Sequence, residues 1–205
     1  MIARYFAFGV FALSLAALVA QYIVLPNPSG ALTVAQRLWI MAGYFTVLTN
    51  VLVAGHMCAV SFGWRISASR AAGLLISICV VGIIYHLVLA ALWNPVGLAW
   101  WANQGLHTVV PLAFAAWWLA FAEKSISLRC VPEWLIWPLV YGVYAIVRGT
   151  FTGFWPYPFL DVGRLGGAQV AMNLAGLLFG FAVLGLMVLG VAKSVHARRQ
   201  PDNPS

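Results

Sequence analysis

Six stretches of this chain are too long and too apolar to be the elements of a water-soluble fold. They run Tyr5–Leu25, Leu38–Phe62, Ala72–Trp93, Gln104–Ala122, Glu133–Arg148 and Gly167–Ala192. A helix needs roughly 20 apolar residues to cross the hydrocarbon of a bilayer. Only helices and closed barrels satisfy every backbone polar group there. The fifth stretch is the shortest, and Pro138 is expected to interrupt it. The chain therefore reads as all-α. A polytopic bundle of six transmembrane helices is expected over residues 1–195, and a disordered cytoplasmic tail over 196–205.

Only 7% of the 205 residues are charged, against roughly 25% in a soluble domain. Such a chain cannot coat itself with polar surface. The first apolar run, which follows Arg4, resembles a signal peptide, but it continues to Leu25 and is read as a retained helix. No internal repeat is visible.

The net charge of +7 is spread over connections and tails. That is the pattern of topology signals, and it speaks against a nucleic-acid-binding patch. With the N-terminus inside, the inner face receives Arg4, Arg65, Arg70, Lys124, Arg129, Lys193, Arg198 and Arg199. Arg37, Arg164 and Arg148 are left outside. Both termini are then cytoplasmic. Cys58, Cys79 and Cys130 show no ligand spacing, and no disulfide framework is expected.

Polar residues inside lipid are costly, so their placement carries information. Measured along straight helices from Trp39, Trp93 and Trp101, residues Thr46, His86 and His107 each lie about 10 Å below the outer surface. Thr49, Asn50, Asn103, Gln104, Thr108, Tyr144, Arg148 and Asn173 fall in the same half, and His56 falls in the other. Two readings stand: a hydrogen-bonded layer that holds the bundle together, or a reactive site. Thr46 and Asn50 share a helix face, as do Tyr141, Tyr144 and Arg148. Pro111 lacks an N–H, so the His107 carbonyl four residues earlier loses its helical partner.

A threonine hydroxyl becomes a nucleophile only with a base in reach, and histidine is the usual base. Thr46 with His107 is the first candidate pair, and His86 is the competing base. A metal site is not expected, because no carboxylate joins the histidines and no HExxH occurs. The one-sided ionisable groups and the missing repeat speak against a transporter.

Tyr44-Phe45-Thr46-Val47-Leu48-Thr49-Asn50 resembles a segment of the androgen-induced protein family, and so does Asn103-Gln104-Gly105-Leu106-His107-Thr108-Val109-Val110-Pro111. Bacterial six-helix relatives show an element similar to Trp155-Pro156-Tyr157-Pro158-Phe159-Leu160-Asp161, placed after an Arg-Gly like Arg148-Gly149. The resemblance implies a six-helix membrane threonine hydrolase in a bacterial cytoplasmic membrane, cleaving fatty acid esters of hydroxy fatty acids. It puts the nucleophile on Thr46 and the histidine on His107. Thr49, beside Asn50, departs from the animal members and keeps the choice of threonine open. Gln104 stands where animal members often place a histidine.

The expected mechanism is attack by Thr46 with His107 as base. Asn50 or Asn103 would donate to the oxyanion, and Arg148 would hold the carboxylate of the acyl substrate. The partner is a lipid or fatty-acyl ester. No cofactor-binding motif occurs, and no pattern sets an oligomeric state. The alternative is a non-enzymatic lipid-binding protein or a small transporter.

Overall fold

The computed structural model describes residues 1–27, 30, 32–92 and 94–199, the last four as backbone only. The described residues are helical and contain no strand. They form two compact units, one from Met1–Ile66 with Ser77–Ala122, the other from Ser67–Ile76 with the chain from Glu123 onward.

The first unit is built on α1 (Ile2–Val24), which packs along α3 (Phe45–Ser61). Its buried face is Ala7, Val10, Ser14 and Ala17, spaced three and four residues apart and mostly small. Small residues let helix backbones approach closely in lipid. Before α3 comes the short α2 (Val34–Met41), opened by a capping box. Thr33 Oγ1 accepts from the Gln36 amide at 3.3 Å, and Gln36 Oε1 accepts from the Thr33 amide at 2.9 Å.

The expected single helix Leu38–Phe62 is instead α2 and α3, bent by 98°. Ala42 and Gly43 leave the first helix, and Tyr44 is extended, so the chain restarts at Phe45. The straight-helix depth assigned to Thr46 therefore falls. Thr46 is the second residue of a new helix, not the ninth of an old one.

Helix α4 (Ala68–Ile84) continues as a π-helical turn (Tyr85–Leu89) and a 3-10 turn (Ala90–Leu92). It starts four residues before the expected Ala72, and Trp93 lies outside the described residues. A second continuous helix covers 98–121. It consists of α5 (Leu98–Gln104), a π-helical turn (Gly105–Val109) and α6 (Val110–Phe121). It begins six residues before the expected Gln104.

In the second unit α7 (Val131–Thr152) packs on α9 (Gly167–Arg199), with the short α8 (Val162–Leu165) between them in sequence. Pro138 lies inside α7 without ending it, contrary to expectation. Helix α7 ends at Gly153, whose φ of 70° is the left-handed cap conformation. Trp134 is held between two glycines. A β-carbon on Gly73 would come within 2.9 Å of its ring, and one on Gly185 within 3.0 Å. Its indole N–H donates to the Ser69 carbonyl at 3.0 Å. Helix α9 runs to Arg199, so 196–199 are helical rather than tail, and 200–205 lie outside the described residues.

Among the described residues four helices are long and apolar enough to cross a membrane: Ile2–Val24, Ala68–Leu92, Leu128–Thr152 and Gly167–Val195. The bent pair α2–α3 makes five if it is one span. The helix over 98–121 is not among them, because Asn103, Gln104, His107 and Thr108 lower its apolarity. Leu87, Phe151 and Phe179 are 79%, 86% and 71% exposed. Faces this apolar require lipid rather than water around them.

Candidate functional site

The site lies wholly within the first unit, where the start of α3 meets the π-helical turn of 105–109. Thr46 Oγ1 lies 3.4 Å from His107 Nε2. Thr46 is 8% exposed and His107 is half-buried. The distance is at the outer limit of hydrogen bonding, the loose end of what nucleophile–base pairs show before substrate binds.

The other ring nitrogen fixes the chemistry. His107 Nδ1 is 2.9 Å from the carbonyl oxygen of Asn103. A carbonyl only accepts, so Nδ1 carries the proton in the neutral ring. That leaves the lone pair on Nε2, turned toward Thr46. The carbonyl is supplied by the residue one turn earlier on the same helix. Such π-helical turns often occur at functional sites.

Asn50 clamps the two elements. Its Nδ2 donates to the Thr46 carbonyl at 2.8 Å and to the Leu106 carbonyl at 3.2 Å. Both amide hydrogens are engaged, so Asn50 has none left for an oxyanion, and that expectation is corrected. Its Oδ1 is buried with no hydrogen-bond partner.

Tyr85, in the π-helical turn that follows α4, completes the group. Its ring stacks on His107, with centroids 4.2 Å apart and planes 26° from parallel. Its hydroxyl accepts from Asn103 Nδ2. Asn103 thus holds the imidazole through its carbonyl and the phenol through its side chain. Sequence reasoning did not single out Tyr85. The available signal was a tyrosine in an apolar run, since a buried phenol needs a polar partner.

His86 belongs to a different chain of contacts. Thr108 Oγ1 donates to Gln104 Oε1 at 2.7 Å and lies 3.0 Å from His86 Nε2. The single hydroxyl hydrogen is given to Gln104, so His86 must donate to Thr108. His86 is thus the partner of Thr108 in this arrangement, and its Nε2, which carries the proton, is not available as a base. Thr49 is fully buried on α3, and it is the Thr46 hydroxyl that faces His107.

Comparison with known protein families, curated proteins and solved structures gives no match for this chain.

Two further features frame the pair. The His107 carbonyl, which Pro111 leaves without its helical donor, packs on Gly82 of α4. A β-carbon there would sit 2.9 Å from that oxygen. Beside it lies a groove of about 480 Å³, lined by residues including Gly82, Ile83, Leu87, Leu112 and Ala115, with His86, His107 and Thr108 also in its wall. Its exposed lining is apolar. Among the described residues no group of three His, Cys, Asp or Glu side chains could hold a metal ion.

The remaining candidates have other partners. Tyr144 and Arg148 belong to the second unit, where Arg148 Nη1 donates to the Tyr144 hydroxyl at 3.3 Å. The Arg148 guanidinium lies over the Phe154 ring at 5.0 Å. Asn173 donates to the Phe159 carbonyl at 2.8 Å, and Asp161 caps α8 by accepting from the Arg164 amide at 3.0 Å. His56 packs edge-on against Phe114 and Trp117.

Proposed function

We propose that this chain is an intramembrane hydrolase of lipid esters, such as fatty acid esters of hydroxy fatty acids, with Thr46 as nucleophile and His107 as base. The supporting observation is the tautomer: an imidazole whose Nδ1 proton is held by a carbonyl keeps its Nε2 lone pair facing a buried threonine hydroxyl. The resemblance of the segments around Thr46 and His107 to the androgen-induced protein family points the same way.

In the mechanism, Thr46 Oγ attacks the ester carbonyl carbon and its proton passes to His107 Nε2. The tetrahedral intermediate collapses and expels the alcohol, which leaves with that proton. Water then attacks the acyl-threonine, again giving a proton to Nε2, and the acid departs as Thr46 is restored. Thr46 sits in the first turn of α3. The positive end of the helix dipole there favours negative charge at the reacting centre. The apolar groove runs from His107 to Ala115, about 12 Å along the helix, and suits one acyl tail. The chain is taken to cross the membrane six times, the helix over 98–121 included, with both termini cytoplasmic.

The test is hydrolysis of such esters by the purified protein. Thr46→Ala and His107→Ala should each lower turnover by about 100-fold or more, the scale of a positioned base, without loss of folding. Thr49→Ala should stay active and keep labelling by a fluorophosphonate, while Thr46→Ala should lose it. Wild-type rates in both Thr46→Ala and His107→Ala would overturn the proposal. Lipid flux in proteoliposomes without ester cleavage would favour a transporter.

A further inference from the structure

We infer that Tyr85 is a catalytic residue, the hydroxyl that donates a hydrogen bond to the oxyanion formed when Thr46 attacks an ester. The inference rests on the hydrolase reading above and deepens it.

An ester carbonyl attacked by Thr46 must put its π electron pair on oxygen, and a buried site needs a donor for that charge. The Asn50 amide cannot serve, because both of its hydrogens go to backbone carbonyls. Histidine 107 cannot serve at that moment, because Nδ1–H is held by Asn103 and Nε2 is receiving the threonine proton. His86 donates to Thr108 instead.

Tyr85 has what these lack. Its oxygen accepts one hydrogen bond, from Asn103 Nδ2, and its own hydrogen has no acceptor among the described residues. The ring is 7% exposed and stacked on the imidazole at 4.2 Å. The phenol ring therefore lies buried against the base, and its hydroxyl has a hydrogen to give. Tyrosine hydroxyls fill this role where acyl transfer builds charge on oxygen. The bond from Asn103 polarises the phenol further, since hydrogen bonds in series strengthen one another. Asn103 keeps a second amide hydrogen, which makes it the rival donor, but its side chain is tied to the phenol.

The charge balance is simple. The carbonyl π pair moves onto oxygen as the Thr46 Oγ–C bond forms, while the hydroxyl proton moves to Nε2. Tyr85 shares its proton with the oxyanion without transferring it. The pair returns to carbon as the C–O bond to the alcohol breaks and Nε2 gives its proton to that oxygen.

Tyr85→Phe tests this with the full-length protein in detergent or liposomes. It keeps the ring on His107 and removes only the hydroxyl. The expected result is a kcat lower by about 100- to 1,000-fold, the effect of losing one oxyanion donor, with KM little changed. A trifluoromethyl ketone analogue of the ester, which forms a stable oxyanion adduct on Thr46, should lose affinity in parallel with kcat. Difluorotyrosine at position 85, a stronger donor in the same ring, should restore turnover. A merely structural Tyr85 would lower thermal stability and leave the ratio of inhibitor affinity to substrate affinity unchanged.

Full turnover and full inhibitor affinity in Tyr85→Phe, with Thr46→Ala inactive, would overturn the Tyr85 assignment and leave the hydrolase reading standing. Loss of turnover in Asn103→Leu combined with a fully active Tyr85→Phe would move the donor to Asn103. No ester cleavage by the wild-type protein would overturn both.

Discussion

Asn50 shows how one residue can be identified from sequence and still be given the wrong task. Its spacing from Thr46 put it on the correct face, and its amide suggested an oxyanion donor. Both hydrogens in fact point at carbonyls, one on its own helix and one on the π-helical turn at Leu106. Asn50 therefore fixes the distance between nucleophile and base. Asn50→Leu, close in volume, removes both bonds and also removes the buried, unpartnered Oδ1. The second effect offsets part of the first, so the expected loss is modest, about 1–2 kcal/mol, seen as a lower unfolding temperature by tryptophan fluorescence in detergent. Turnover should fall by more than that loss implies, because the Thr46–His107 spacing is no longer held. An unchanged unfolding temperature and turnover would remove the clamp. Thr46, His107, Asn50 and Asn103 were legible because polar residues in apolar runs are conspicuous. The partner of each was not, since hydrogen-bond direction depends on which helix faces turn together. His86 is the clearest case: its sequence depth matched His107, yet its partner is Thr108.

At the scale of elements, the sequence located the apolar stretches but not their breaks. The α2–α3 bend falls at Ala42-Gly43-Tyr44, where only one glycine signals it, and an apolar pattern reads straight through. The consequence is large, because the bend places Thr46 at a helix N-terminus. The π-helical turns at 85–89 and 105–109 were equally hidden, since no residue type marks them. They meet where Tyr85 stacks on His107. Gly105, the first residue of the second turn, sets how closely that helix approaches α1. A β-carbon on it would lie 2.7 Å from the β-carbon of Ala17. Neither atom can rotate away, so Gly105→Ala must push α1 and the turn apart. The expected cost is about 1–3 kcal/mol, typical of overpacking, with turnover reduced. Adding Ala17→Gly frees the space and should recover most of both losses. A double variant no better than Gly105→Ala alone would show that the glycine acts through backbone conformation instead.

For the whole molecule the question is how many times the chain crosses. Within the first unit, Arg4 Nε donates to the Ser61 carbonyl at 2.9 Å, and the Trp117 indole donates to the Ala3 carbonyl at 3.3 Å. The start of α1 and the ends of α3 and α6 therefore share one end, with Arg65 and Lys124 just beyond it in sequence. Within the second unit, Glu133 at the start of α7 accepts from Ser69 at the start of α4, beside Arg70 and Arg129. In the first unit Arg4 and Arg65 stand at that shared end, while Arg37 donates to the Tyr22 carbonyl near the other end of α1. The element that sets the count is the helix over 98–121. Its polar residues lower its apolarity, yet those are the residues of the candidate site, and intramembrane polar residues that face protein are the functional exception. If it crosses, Val96 and Ser125, both exposed, lie on opposite sides of the membrane. His107 then sits about 14 Å along the helix from its outer start at Leu98, within reach of an ester near the headgroups. In a variant with Cys58, Cys79 and Cys130 replaced by alanine, Val96→Cys should react with an impermeant maleimide applied outside intact cells. Ser125→Cys should react only after the membrane is permeabilised. Labelling of both from the same side would make this helix re-entrant, reduce the crossings to five, and place the two termini on opposite faces.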